Sequence, residues 1–301
     1  MKPAWAGWPG WAGWAGCVGA LATVAAGPAL RRHPPGGPAR WARTNHAGAS
    51  VTLLEGPQVV LGSAVAAAVV GSPAAALAAL ASGALGALDD LAGDSSSKGL
   101  RGHLGALTRG QVTTGAVKVL GLLGVGAVVA STARAGRSGP MGEHECRTSD
   151  SGPSDAPAPG VRLLQLLVDA GVVAGSANLT NLLDLRPGRA LKATVLLGTP
   201  LALLGSPVAA VAVGSALAAA PDDLAGRSML GDTGANSLGA LLGVAAVERL
   251  PQRGRRLVLL GLVTLTLLSE RVSFTAVIET NPVLRELDRW GRPLASPAPT
   301  G

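Results

Sequence analysis

Nine apolar runs divide the chain, each bounded by charge or proline: about 13–30, 57–71, 73–88, 111–132, 161–178, 190–205, 207–220, 234–247 and 256–268. Several are shorter than the ~20 residues a straight membrane span needs, so their ends borrow from neighbouring loops. Hydrophobic residues make up 48% of the chain and charged residues 14%, against roughly 25% charge in a soluble domain. Mean hydropathy is +0.39. That leaves too little polar surface to cover a globule and too much apolar surface for a disordered chain. The prediction is an all-α polytopic membrane helix bundle of about nine transmembrane helices, nine to ten, forming one integral-membrane domain over residues 1–294. Ala is nearly neutral for insertion, so individual Ala-rich spans are weak.

Two of the junctions, at 71–73 and 205–207, read Gly-Ser-Pro and predict tight helix hairpins. Residues 134–160 are polar and predict a flexible external loop, while the Pro-rich end, 295–301, predicts a disordered tail. Cys17 in an apolar run and Cys146 in a polar loop are not expected to pair. A cleaved signal peptide is not expected either, since only Lys2 charges the start. The net charge of +7 comes without a basic stripe interleaved with aromatics, so no nucleic-acid partner is expected. Arg-rich cytoplasmic loops explain the charge better. Nine spans place loops 31–56, 89–110, 179–189, 221–233 and the tail from 269 on one side, with 15 Lys and Arg against nine on the other. The cluster Arg249, Arg253, Arg255 and Arg256 runs against that bias.

Every polar constellation of interest falls on that cytoplasmic face. Asp89-Asp90 ends the third run; adjacent carboxylates there suit Mg²⁺ binding or proton abstraction, or simply a solvated helix end. Lys98, Arg101, His103 and Arg109 follow, able to meet an anion or to anchor in headgroups. Asn178, Asn181 and Asp184 recur every three residues, which predicts one polar helix face, with capping as the alternative. Gly231-Asp232-Thr233-Gly234 precedes the eighth run, where glycines let backbone approach a phosphate and a helix N-terminus faces an anion. The plainer alternative is a turn that starts a helix. Asp222-Asp223 echoes the first pair and reads as a solvated loop end rather than a second acidic site. His46 touches substrate or is structural; His33, His103 and His144 lack metal-ligand spacing. Lys118 and Asp169 are charges inside apolar runs, expected to neutralise each other across two helices; otherwise Lys118 faces a lipid phosphate.

Taken together, the Asp-Asp pair, Lys98-Gly99-Leu100, N-x-x-N-x-x-D and G-D-x-G resemble the polyprenyl-phosphate N-acetylhexosamine-1-phosphate transferases from about Arg43 to Arg292. The ending SERVSFTAVIETNPVLRELDRWGR is similar to the GlcNAc-1-phosphate branch. The resemblance implies a multi-pass enzyme of the cell membrane, with its site on the cytoplasmic face. A polyprenyl phosphate would attack the β-phosphorus of a UDP-sugar and release UMP, for envelope glycan synthesis. It implies Mg²⁺, or Mn²⁺, on Asp232 and Asp89, with catalytic roles for Asp89, Asp90 and Asp184. Asn178, Asn181, Lys98, Gly231 and Gly234 would bind the nucleotide and its metal. The implied partners are polyprenyl phosphate, UDP-sugar and membrane lipid, with a homodimer as an option. Pro187 stands where the family carries a second Asp, and Ala235 where it often has Ser. Those departures keep open an inactive relative with a binding or scaffold role; a transporter is the third alternative.

Overall fold

The structure is a computed structural model that describes residues 10–44, 48, 50–92, 114–135 and 158–292. Eleven α-helices account for almost all of it, together with one 3₁₀ turn at Pro38–Trp41. They are α1 (Gly10–Arg32), α2 (Glu55–Val69), α3 (Pro73–Ala92), α4 (Thr114–Ala135), α5 (Pro159–Leu183) and α6 (Arg189–Leu203). Then come α7 (Pro207–Leu224), α8 (Gly231–Arg249), α9 (Gln252–Ser269), α10 (Phe274–Thr280) and α11 (Pro282–Arg289). The first nine coincide with the nine apolar runs. Among the described residues, α1, α3 and α5 are long and apolar enough to cross a membrane, or four spans if α9 and α10, bent by 92°, act as one. The other long helices miss that mark for visible reasons: α2 and α6 have only 15 residues, and α8 opens on polar Asp232, Thr233 and Asn236.

Both Gly-Ser-Pro junctions are hairpins. Gly71 and Gly205 take positive φ (80° and 86°), Pro73 and Pro207 open the next helix, and Ser206 caps α7 by accepting from Ala209 N. Around a central α8 the chain arranges a ring of α2, α3, α4, α5, α6 and α7. Outside that ring, α1 packs between α2 and α7, and α9 lies on α5. Every residue of α8 from Thr233 to Val247 is buried. Small side chains make this possible. A Cβ on Gly239 would strike Ser176 and Ala177 of α5, one on Gly243 would strike Val173, and one on Gly86 of α3 would strike the carbonyl of Asp232.

The loop after α1 carries a short β ribbon. β1 (Ala42–Thr44) pairs antiparallel with β2 (Ser50–Thr52), and Thr52 bridges to Ser228. Met229 N donates to Thr52 O at 2.9 Å. Trp41, Leu53 and Leu54 form a small apolar cluster with Leu91 and Met229. This cap fastens the segment just before α8 to the end of α3. Lys98, His46, His103, His144, Cys146, most of 134–160 and the tail 295–301 lie outside the described residues.

Candidate functional site

The alternation of the helices brings one end of α3, α4, α5 and α8 together. Asp89 and Asp90 sit in the last turn of α3, Lys118 near the start of α4, Asn181 in the last turn of α5, and Asp232 in the first turn of α8. Lys118 Nζ lies 3.3 Å from Asp89 Oδ2 and also pairs with Asp232 Oδ2. Asn181, with its amide oriented to satisfy the network, donates to Asp232 Oδ1 at 2.7 Å and accepts from Lys118 Nζ at 2.8 Å. Lys118 is buried, whereas the Asp89 and Asp232 side chains keep 25% and 28% of their exposure. Three groups with acceptor oxygens thus converge on one ammonium, at a point still open to solvent.

Asp90 faces the other way from Asp89. Its carboxylate accepts from Asp232 N at 3.1 Å, Thr233 N at 2.9 Å and Thr233 Oγ1 at 2.6 Å. An aspartate from α3 therefore caps α8, satisfying N–H groups that the helix itself leaves unpaired. Gly231 makes this possible. Its φ is +63°, and a Cβ there would lie 3.0 Å from Asp90 Oδ2. Arg43 donates to the Asp90 carbonyl and ties the β ribbon to the same point.

The N-x-x-N-x-x-D run does not present one face to one site. Each three-residue step in a helix turns the side chain back by about 60°, so positions 178 and 184 diverge. Asn178 Nδ2 donates to Thr266 Oγ1 of α9 at 3.2 Å and is not part of the cluster. Asp184 caps the end of α5. Burial pushes its carboxyl well above the usual carboxylate range; Asp223 and Asp232 add to the rise, and the Gly231 N–H opposes it. Gly234 packs against Leu230 and Gly56.

Two expectations are corrected. Lys118 does not pair with Asp169. In the described part of α4 Lys118 lies near the start, level with Asp89 and Asp232. Helix α5 runs on to Leu183, so Asp169 lies 14 residues, or about 21 Å, before its end. There it meets Arg255, whose Nη1 reaches both carboxylate oxygens at 3.1 Å. Asp222-Asp223 is not uniformly solvated. Asp222 is half-buried and pairs with Arg227, but Asp223 is buried and accepts from Gly188 N at 2.5 Å, fixing the loop after Asp184.

Lys118 is the site residue that sequence reasoning placed elsewhere; its signal was a lone cation near the end of an apolar run. Asp223 is another buried acid of this end, and nothing in its Asp-Asp context distinguished it. Among the described residues, no group of three or more His, Cys, Asp or Glu is arranged to hold a metal ion. Fold and site together define a class, an apolar helix bundle with a convergent acid–amide–ammonium cluster at one end. No family model, curated protein or solved structure matches the chain.

Proposed function

We propose that this chain is a nine-span membrane transferase that moves a sugar-1-phosphate from a UDP-sugar to a polyprenyl phosphate and releases UMP at the cytoplasmic face. The observation that carries the proposal is the meeting of Asp89, Lys118, Asn181 and Asp232 from four separate helices at one partly open point. Phosphoryl transfer asks mainly for positioning and charge neutralisation, and this cluster offers both signs of charge beside apolar helices that suit a lipid tail.

The donor set fits Mg²⁺, which is commonly held by one or two carboxylates together with substrate phosphates. Asp89 and Asp232 would hold it, with the Asn181 amide oxygen beside them, and it would neutralise the diphosphate. Lys118 supplies a second cation, placed to meet the attacking lipid phosphate. Asn181 orients Asp232 by hydrogen bonding. Asp90 is committed to the α8 N-terminus, so its part is to fix Asp232 relative to Asp89. Asp184 follows the last turn of α5, where burial first, and then Asp223 and Asp232, raise its carboxyl above the usual carboxylate range. The decisive assay incubates membranes with Mg²⁺, polyprenyl phosphate and labelled UDP-sugars. A labelled lipid plus UMP is expected; neither product with any UDP-sugar removes the proposal.

A further inference from the structure

Beyond that site, the chain after α9 carries features the transferase reading does not use. Helix α9 exposes Leu257, Leu260, Val263, Leu267 and Leu268, an apolar flank suited to lipid. Helix α10 then turns by 92°. Bent that far, α10 lies across the direction of α9, as in a broken or re-entrant span. Helix α11 follows, capped by Asn281, whose Oδ1 accepts from Val283 N and Leu284 N at 3.0 and 3.1 Å. Val283, Leu287 and Trp290, spaced i, i+4 and i+7, form one exposed apolar stripe; Val283 is 74% and Trp290 73% exposed. Arg285 and Arg289, four apart, lie on another flank of the helix and, with Arg292 beyond its end, line a cavity of about 370 Å³ together with Arg186, Glu279 and Asp288.

Charge in that cavity is unevenly matched. Asp288 is taken by Arg189 at 2.8 Å and Arg292 at 2.9 Å. Partial burial pushes its carboxyl up, but the bonds and charge of Arg189, with those of Arg292, outweigh this and hold it below the usual range. Glu279 meets Arg186 at 3.4 Å. No described acidic group pairs with the Arg285 or Arg289 side chain, and Arg285 Nε is buried without a partner. The helix is also bound to the site end of the bundle. Lys192 Nζ donates to the carbonyls of Leu287 and Asp288 at 3.1 and 2.6 Å, and Arg292 Nε donates to Pro187 O at 2.9 Å.

We infer that α10 and α11 form an in-plane anchor on an anionic lipid leaflet, with Val283, Leu287 and Trp290 among the headgroups and Arg285 and Arg289 meeting lipid phosphates. Two observations select lipid as the occupant: an exposed apolar stripe on α11 follows in the chain the lipid-suited flank of α9, and the unmatched arginines complement phosphodiester charge. Through Lys192 and Arg292 the anchor fixes loop 184–189, so lipid composition would be felt at the loop that follows Asp184. The inference rests on the membrane character of the bundle and not on the transferase chemistry.

The test uses the full chain in nanodiscs. Bromine-labelled phosphatidylglycerol should quench the Trp290 emission, isolated by subtracting Trp290→Phe, while an aqueous quencher should not. Native mass spectra of protein released from mixed discs should retain phosphatidylglycerol over phosphatidylcholine. Arg285→Gln and Arg289→Gln should each lower that preference about fivefold, with helicity and melting unchanged and the Lys variants restoring it. Inorganic phosphate and UDP-sugar, the free-anion arms, should leave the preference intact. Trp290 reached by the aqueous quencher but not by brominated lipid overturns the inference. So does lipid preference indifferent to both arginines, displacement by free phosphate or nucleotide, or cross-linking of α11 to a second copy of the chain. None of these readouts requires turnover, so the anchor can fail while the transferase reading stands, and the reverse.

Discussion

Two buried ion-pair centres lie at opposite ends of the bundle, and they are built differently. At one end Arg255 reaches both oxygens of Asp169, which is fully buried, so this pair is shut away from solvent. At the other, Lys118 serves Asp89 and Asp232 at once, with Asn181 also on the ammonium and both carboxylates partly exposed. A pair shut away from solvent holds helices together. A cation shared by two partly exposed carboxylates leaves acceptor oxygens facing solvent, which a further cation or a phosphate-bound metal would meet. The comparison separates a structural charge from a candidate working one without recourse to motif.

The sharpest way to break this contrast is Asp232→Asn. The change keeps size and hydrogen bonding, so the bundle should fold, but turnover should fall by about 10³-fold or more. UMP release across a Mg²⁺ titration measures it, and near-normal turnover at ordinary Mg²⁺ would place the chemistry elsewhere. The closed pair should respond in the opposite currency. Asp169→Ala strands Arg255 and should cost about 3 kcal/mol of stability, read by denaturation in detergent, with turnover per folded molecule preserved. Adding Arg255→Met should recover most of that loss; if it does not, the pair is not the reason Asp169 is there.

A smaller effect is expected at Gly231→Ala. Its positive φ and the 3.0 Å approach to Asp90 Oδ2 should together cost about 1–2 kcal/mol and lower turnover by displacing Asp232. Smallest is Asp184→Asn. The folded chain holds the Asp184 proton more tightly than the unfolded one, because its carboxyl is raised by burial, then by Asp223 and Asp232. That stabilisation is present below the ordinary carboxylate range and is lost as pH rises through the raised value. The variant should therefore melt higher than the parent at neutral pH, by on the order of 1 kcal/mol, and converge with it in acid. A parent that is the more stable of the two at neutral pH would contradict the burial argument.

The helices were legible because apolar run length and Pro or Gly punctuation are local signals. Their ends were not. The five-residue extension of α5 to Leu183 put Asp169 far from the end that holds Lys118. Arg255 looked like an exception to the positive-charge bias, because nothing local shows that α9 lies on α5. At the site, the residue types of Asp89, Asn181 and Asp232 were legible, while their division of labour was not. Adjacent Asp89 and Asp90 point to different partners, and Asn178 and Asn181 separate by helical rotation, which spacing alone left unresolved. The amphipathic α11 was hidden inside a segment read only as the tail from 269, although Val283, Leu287 and Trp290 carry the period.

The bond between Asp90 and the start of α8 also limits how the site can move. Asp89 rides on α3 and Asp232 on α8, and the residues beside them, Asp90 and Thr233, are the ones that lock together. Sliding α3 against α8 would break three hydrogen bonds and drive Gly86 into the Asp232 carbonyl. The distance between the two carboxylates is thus set by a rigid joint. Helix α4, which brings Lys118, packs on α3 and α5 and only lightly touches α8. Of the four helices that build the site it is the one least tied to α8, so what holds this wall to the Asp89–Asp232 pair is largely the contacts of a single ammonium.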